Sequence, residues 1–138
     1  MYICDFILSI ISLAIAGDLH GFWNLEDNDL LRELNPDAIL FVGDLGEGDF
    51  RLIKLINQLT IPTAVILGNH DRGGDATGEV LRNQLSLLGE RDCSWRLRNW
   101  DSPNISVIGA RPCSSGGGYF LAPAVQAVFG PVTIDQSI

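Results

Sequence analysis

The chain has 138 residues, a formal charge of −8, 46% hydrophobic side chains and 19% charged ones. That length suits one domain burying roughly two thirds of the surface its unfolded form exposes, and the composition excludes a disordered chain or a solenoid of repeats. The acidic balance argues against a nucleic-acid or anionic-membrane binder, which needs clustered Lys and Arg; a phosphate-bearing ligand would need a divalent cation held on the surplus carboxylates.

In chain order, "FILSIISLAIA" (6–16) comes first. It is too short for a bilayer-spanning helix, which takes about 20 apolar residues. Ala14 and Ala16 resemble a signal-peptide cleavage end, but Asp5 and the absence of Lys or Arg before the run favour a buried strand. "LAIAGD" (13–18), "AILFVGD" (38–44), "TAVILGN" (63–69) and "ISVIGAR" (105–111) are four short apolar runs, each punctuated by Gly. Continuous apolarity reads as strands covered on both faces. Between them the pattern predicts helices over 27–34, behind an Asp/Asn cap and before Pro36; over 49–59 after Asp49; and over 77–89, with Thr77 as cap and Gly89 as stop. Strands alternating with helices imply βαβ units and a mainly parallel sheet, whose ligands gather outside the carboxyl ends of the strands.

In the later chain, Arg91, Arg96 and Arg98 lie among Trp95 and Trp100 and read as a partly buried strand with solvated arginines. "CSSGGGYF" (113–120) reads as a surface loop, with a lid as the functional alternative. Cys4, Cys93 and Cys113 form no C-x-x-C pair, which points to a reducing compartment and a cytoplasmic location.

Three successive predicted strands end in polar side chains: Asp18 and His20 in "GDLHG", Asp44 in "GDLGEGD", and Asn69, His70 and Asp71 in "GNHD". Nearly even spacing brings these ends to one sheet edge, and both histidines of the chain are among them. Asp-x-His offers an oxygen and a nitrogen ligand, suited to Mn, Fe or Zn more than Ca. A further carboxylate can bridge two cations, and two cations about 4 Å apart can activate a shared water and clamp an in-line displacement at phosphorus. Taken singly, each ending also suits a turn or a helix cap.

In that order, "GDLHG", "GDLGEGD" and "GNHD" resemble the first three motifs of the calcineurin-like metallophosphoesterases. The resemblance implies an α/β fold: a metallophosphoesterase-type β-sandwich flanked by helices, with a mainly parallel βαβαβ core. It implies two divalent metal ions (Mn, Fe, Zn or Mg), with Asp18 and His20 on the first, Asp44 bridging and Asn69 on the second. His70 would donate a proton to the leaving alkoxide while a metal-activated water attacks the phosphoester. In some branches of the family a carboxylate three positions after the bridging Asp orients that histidine; here this is Glu47, with Asp71 as the competing orienter. Arg72 would meet a substrate phosphate or remain an exposed arginine after a turn.

Family members continue with a later histidine and a G-H-x-H motif, and this sequence has no histidine after His70. The expectation is therefore an incomplete, truncated single domain over 1–138, with one metal, or a weakly bound second. An apolar face and a strand edge would be left open to self-association. A catalytically impaired metal-binding remnant or interaction module is the alternative to the hydrolase. No P-loop or dinucleotide fingerprint occurs.

Overall fold

The computed structural model describes residues 10–110, 112 and 123–130. Three strands, β1 (Leu13–Ala16), β2 (Ala38–Val42) and β3 (Thr63–Ile66), form a parallel sheet in the order β1-β2-β3. Register places Ala16 beside Phe41 and Val42 beside Ile66, so all three chains leave the sheet at the same edge. The returns run through α1 (Leu25–Leu34) and α2 (Arg51–Ile56), and α3 (Glu79–Leu88) follows β3. A 3-10 turn (Gly89–Arg91), a hairpin of β4 (Leu97–Asp101) and β5 (Asn104–Ile108) and a short α4 (Pro123–Phe129) complete the described elements.

The core lies between one face of the sheet and the helices. Ile39, Phe41 and Val65 point into it and meet Leu31 of α1, Ile53 and Ile56 of α2, Leu81 and Leu88 of α3, and Val125 of α4. The other face carries Leu13, Ile15, Leu40, Val42, Ala64 and Ile66, of which the last four line a cleft under Val107 and Ile108 of the hairpin. Among the described residues β1 is an edge strand with Ile15 65% exposed, the feature on which expected self-association rests.

Several expectations are corrected here. The run 105–111 was expected to be a strand covered on both faces; β5 instead pairs antiparallel with β4 and alternates exposed and half-buried positions. Successive side chains of a strand point to opposite faces, so the positions of β5 alternate in exposure, and Ile108 is 80% exposed. β1 is likewise open on one face. The arginines near β4 are not simply solvated: Arg91 donates to the Leu59 carbonyl at 2.9 Å, and Arg98 donates to the Asp92 carbonyl and to Glu90.

Helix ends also move. The cap of α1 is Asn24, whose side chain accepts the Glu26 and Asp27 N–H groups while Asp27 accepts the Asn24 N–H, a capping box three residues ahead of the expected start. The α2 helix is shorter than 49–59, though Leu59 remains buried beyond its end. α3 starts at Glu79 rather than 77, and Asp75 shares the capping: its carboxylate accepts the N–H of Thr77 and of Val80 while Thr77 Oγ1 accepts that of Glu79. Those bonds hold the Asp75 carboxyl down at about 2, the Thr77 N–H contributing most. The loop 113–120 lies outside the described residues.

Candidate metal centre

The site is built at the sheet edge by backbone before any side chain contributes. Leaving β1, the N–H groups of Asp18, Leu19, His20 and Gly21 donate to carbonyls of Gly43, Asp44 and Leu45, which zips the first loop onto the second. The third loop is locked on by Asp71, which is 0% exposed: one carboxylate oxygen accepts the N–H of Leu45 and Gly46, the other that of Gly68. Burial pushes the Asp71 carboxyl above its ordinary range, and the three N–H donors oppose that rise.

Close approach demands glycine at Gly68. A Cβ there would lie 2.1 Å from both the N and the Oδ1 of Asp44. Asp18, His20, Asp44 and Glu47 all have positive φ, between 45° and 59°. Left-handed backbone costs a non-Gly residue roughly 1–2 kcal/mol, Asp and Asn least, so its concentration on these four side chains marks a site whose geometry is imposed by its surroundings.

Asp18, His20 and Asp44 come together with one ligand atom each inside a 4.8 Å span. His20 Nε2 is 3.4 Å from Asp18 Oδ1, and the Asp18 side chain is 85% exposed. Asn69 lines the same cleft as Asp18 and Asp44. Two oxygens and an imidazole nitrogen form a donor set that fits a borderline divalent cation. Asp44 also accepts the N–H of His70 through Oδ1 at 3.0 Å, which fixes the carboxylate's rotation.

Beside this group, Glu47 reaches both histidines. Its Oε1 is 2.5 Å from His20 Nδ1 and 3.2 Å from His70 Nδ1, and the two rings meet edge to face at 5.0 Å. The Glu47 bond raises His20 above its usual value and lowers Glu47 below its own; the charges of Glu47, Asp18 and Asp44 add to the rise on His20. Arg72 is half-buried and shares a small cleft with Glu47, Asn69 and His70.

Of the two expected orienters of His70, Glu47 is in contact, though nearer to His20. Asp71 accepts backbone N–H groups from two loops and so holds those loops together, a role that sequence reasoning did not assign to it. The His20–Glu47 contact was missed by sequence reasoning, as were the constraints at Gly68. Gly46 and Gly48 flanking Glu47 were the available signal, since glycines on both sides of an acidic residue mark a tight, aimed turn.

Carboxylates, an amide and imidazoles converging on the carboxyl edge of a parallel sheet define an α/β protein with a candidate metal centre. The family model described as calcineurin-like phosphoesterase matches residues 11–133, and the chain belongs to that family. No curated protein and no solved structure matches the chain. Among the described residues no helix is long and apolar enough to cross a membrane.

Proposed function

We propose that residues 1–138 act as one metal-dependent phosphoester hydrolase domain. The first cation would be held by Asp18, His20 Nε2 and Asp44, and a second by Asp44 and Asn69. The observation supporting this reading is the convergence of Asp18, His20 and Asp44, from two different strand ends, within 4.8 Å. A bound divalent cation, Mn among the candidates, would supply Lewis-acid polarisation and an acidified water for in-line attack on a phosphomonoester or diester.

The chain's own groups do the rest. With His70 Nδ1 turned to Glu47, Nε2 is the nitrogen left to hold the proton that passes to the leaving alkoxide. Glu47 positions that ring by accepting from Nδ1. The Arg72 guanidinium, from the adjoining cleft, can fork onto two phosphate oxygens. The cysteine spacing supports a cytoplasmic setting, and the formal charge of −8 argues against a nucleic-acid or anionic-membrane partner.

One observation favours a second reading, a metal-binding remnant or interaction module. Among the described residues Asp44 and Asn69 are the candidates for the second cation, and a shared carboxylate with a neutral amide is a weak pair. Hydrolysis of p-nitrophenyl phosphate or its bis-ester with Mn2+, abolished by Asp44→Asn, is the result expected of the hydrolase. Mn2+ binding without turnover would replace it with the second reading.

A further inference from the structure

We propose that His20, Glu47 and His70 form a separate metal site, taking a zinc-like cation through two Nδ1 atoms and one carboxylate oxygen, which excludes metal from the Asp18–His20–Asp44 group. The site stands on geometry alone; its inhibitory consequence rests on the phosphoesterase reading above.

The three ligand atoms lie within 4.8 Å of one another. Tetrahedral zinc with bonds of about 2.0–2.1 Å separates its ligand atoms by roughly 3.3–3.4 Å. Glu47 Oε1 to His70 Nδ1, at 3.2 Å, already matches, and Glu47 Oε1 to His20 Nδ1, at 2.5 Å, must open by less than a bond length. The edge-to-face rings present both Nδ1 atoms to the same oxygen, where a cation can replace the protons. A two-histidine, one-carboxylate set leaves positions open for water or a substrate oxygen and suits Zn, Fe or Co over Mg or Ca.

Backbone supplies a second, independent argument. An ordinary exposed Glu has no reason to occupy left-handed space, yet Glu47 has φ 53° and is followed by Gly48 at φ 89°. This turn is wedged against the His70 loop, since a Cβ on Gly73 would meet the Glu47 carbonyl at 2.5 Å. The fold thus spends strain to hold this carboxylate between two imidazoles.

Exclusivity follows from His20 itself. When Nε2 faces a cation with Asp18 and Asp44, Nδ1 carries the proton and donates to Glu47. When Nδ1 binds the cation, Nε2–H points at Asp18 Oδ1, 3.4 Å away, an arrangement in which a carboxylate orients a metal-bound histidine. One neutral imidazole has one lone pair, so the two sites compete. Occupancy of the second also takes His70 Nδ1 and Glu47 out of the proton-donor arrangement, so zinc would inhibit a manganese-loaded hydrolase.

The test uses the full chain, metal-free, titrated with Zn2+ and with Co2+. In Asp18→Asn/Asp44→Asn the first group is disabled; the expected result is retained Zn2+ affinity and the visible absorption of low-symmetry Co2+. Adding Glu47→Gln or His70→Gln to that background should weaken Zn2+ binding at least about tenfold, with circular dichroism unchanged. Ring 15N shifts on Zn2+ addition should mark Nδ1, not Nε2, of both histidines as ligated. A folded double variant that binds no Zn2+, an unchanged affinity after Glu47→Gln and His70→Gln, or 15N shifts at Nε2 would each overturn the proposal. Lack of phosphoester hydrolysis with Mn2+ would remove the inhibitory consequence and leave these binding results standing, so the two failures are distinguishable.

Discussion

Asp71 accepts the Leu45 N–H at 2.7 Å, and through it the loop carrying Asn69 and His70 is fastened to the loop carrying Asp44. Together with Gly46 and Gly68, three N–H donors depend on this one buried carboxylate. Each buried donor left without a partner costs about 1–3 kcal/mol. Asp71→Asn keeps one accepting oxygen and is expected to lose about 1–3 kcal/mol in urea unfolding; Asp71→Ala strands all three donors and is expected to lose more. An Asp71→Asn midpoint equal to the parent's would refute the fastening role.

Gly68→Ala tests the close approach of the same loops. The new Cβ would sit 2.1 Å from Asp44 N and Oδ1, both of which are fixed by the loop, so the Asp44 carboxylate must move. Overpacking of this kind costs about 1–3 kcal/mol. Because the displaced atom is a candidate metal ligand, Mn2+ affinity by calorimetric titration should fall together with thermal stability. Weakened stability with undiminished Mn2+ binding would separate Asp44 from the metal.

Asp75 predicts a pH dependence remote from the metal centre. Its folded pKa, about 2, lies below the ordinary value of 3.8 because the carboxylate accepts the N–H groups of Thr77 and Val80 at the start of α3. A depressed carboxyl stabilises the fold fully above the unfolded pKa, and the contribution fades as pH falls through the folded one. Urea midpoints of Asp75→Asn and the parent should therefore differ at pH 6 and converge between about pH 4 and pH 2. A gap that stays constant over that window would show that the cap does not depend on charge.

The βαβαβ order and the strand-end residues were legible because each depends on local signals: apolar runs stopped by Gly, and Asp, Asn or His placed just after. Asp18, His20, Asp44 and Asn69 were singled out that way; the structure groups Asp18 and Asp44 with His20 within 4.8 Å and with Asn69 in one cleft. What was not legible depends on contacts between segments distant in sequence. Asp71 looked like a neighbour of His70, yet its partners are 25 and 26 residues away as well as three. Glu47 was assigned to one histidine although its turn aims it between two. β5 carried the apolar run of a covered strand, yet it pairs with β4 outside the three-stranded sheet and its positions alternate between exposed and half-buried. The cap of α1 was misplaced for a related reason: Asn28, which reads as a capping residue, is used in the interior.

That interior asparagine gives the last prediction. Asn28 is 0% exposed; its Oδ1 accepts the Trp23 Nε1–H at 2.8 Å and its Nδ2 donates to the Leu55 carbonyl at 2.8 Å, joining α1 to α2. Trp23 in turn lies edge-on to Phe41 of the central strand at 5.4 Å. Asn28→Asp keeps the acceptor for Trp23 and replaces the donor with a group that can serve the Leu55 carbonyl only while protonated. Burial raises such a carboxyl above its unfolded value of about 3.9. A raised folded pKa means the fold is favoured below the unfolded value and loses that contribution as pH rises through the folded one. The deficit of Asn28→Asp relative to the parent should thus be larger at pH 7 than at pH 4, by more than about 1 kcal/mol, since an ionised carboxylate facing a carbonyl leaves both unsatisfied. Asn28→Ala, which cannot ionise, should lose about 2–3 kcal/mol at both pH values. Equal deficits for Asn28→Asp at pH 4 and pH 7 would mean that water reaches this position and that the link between α1 and α2 is made elsewhere.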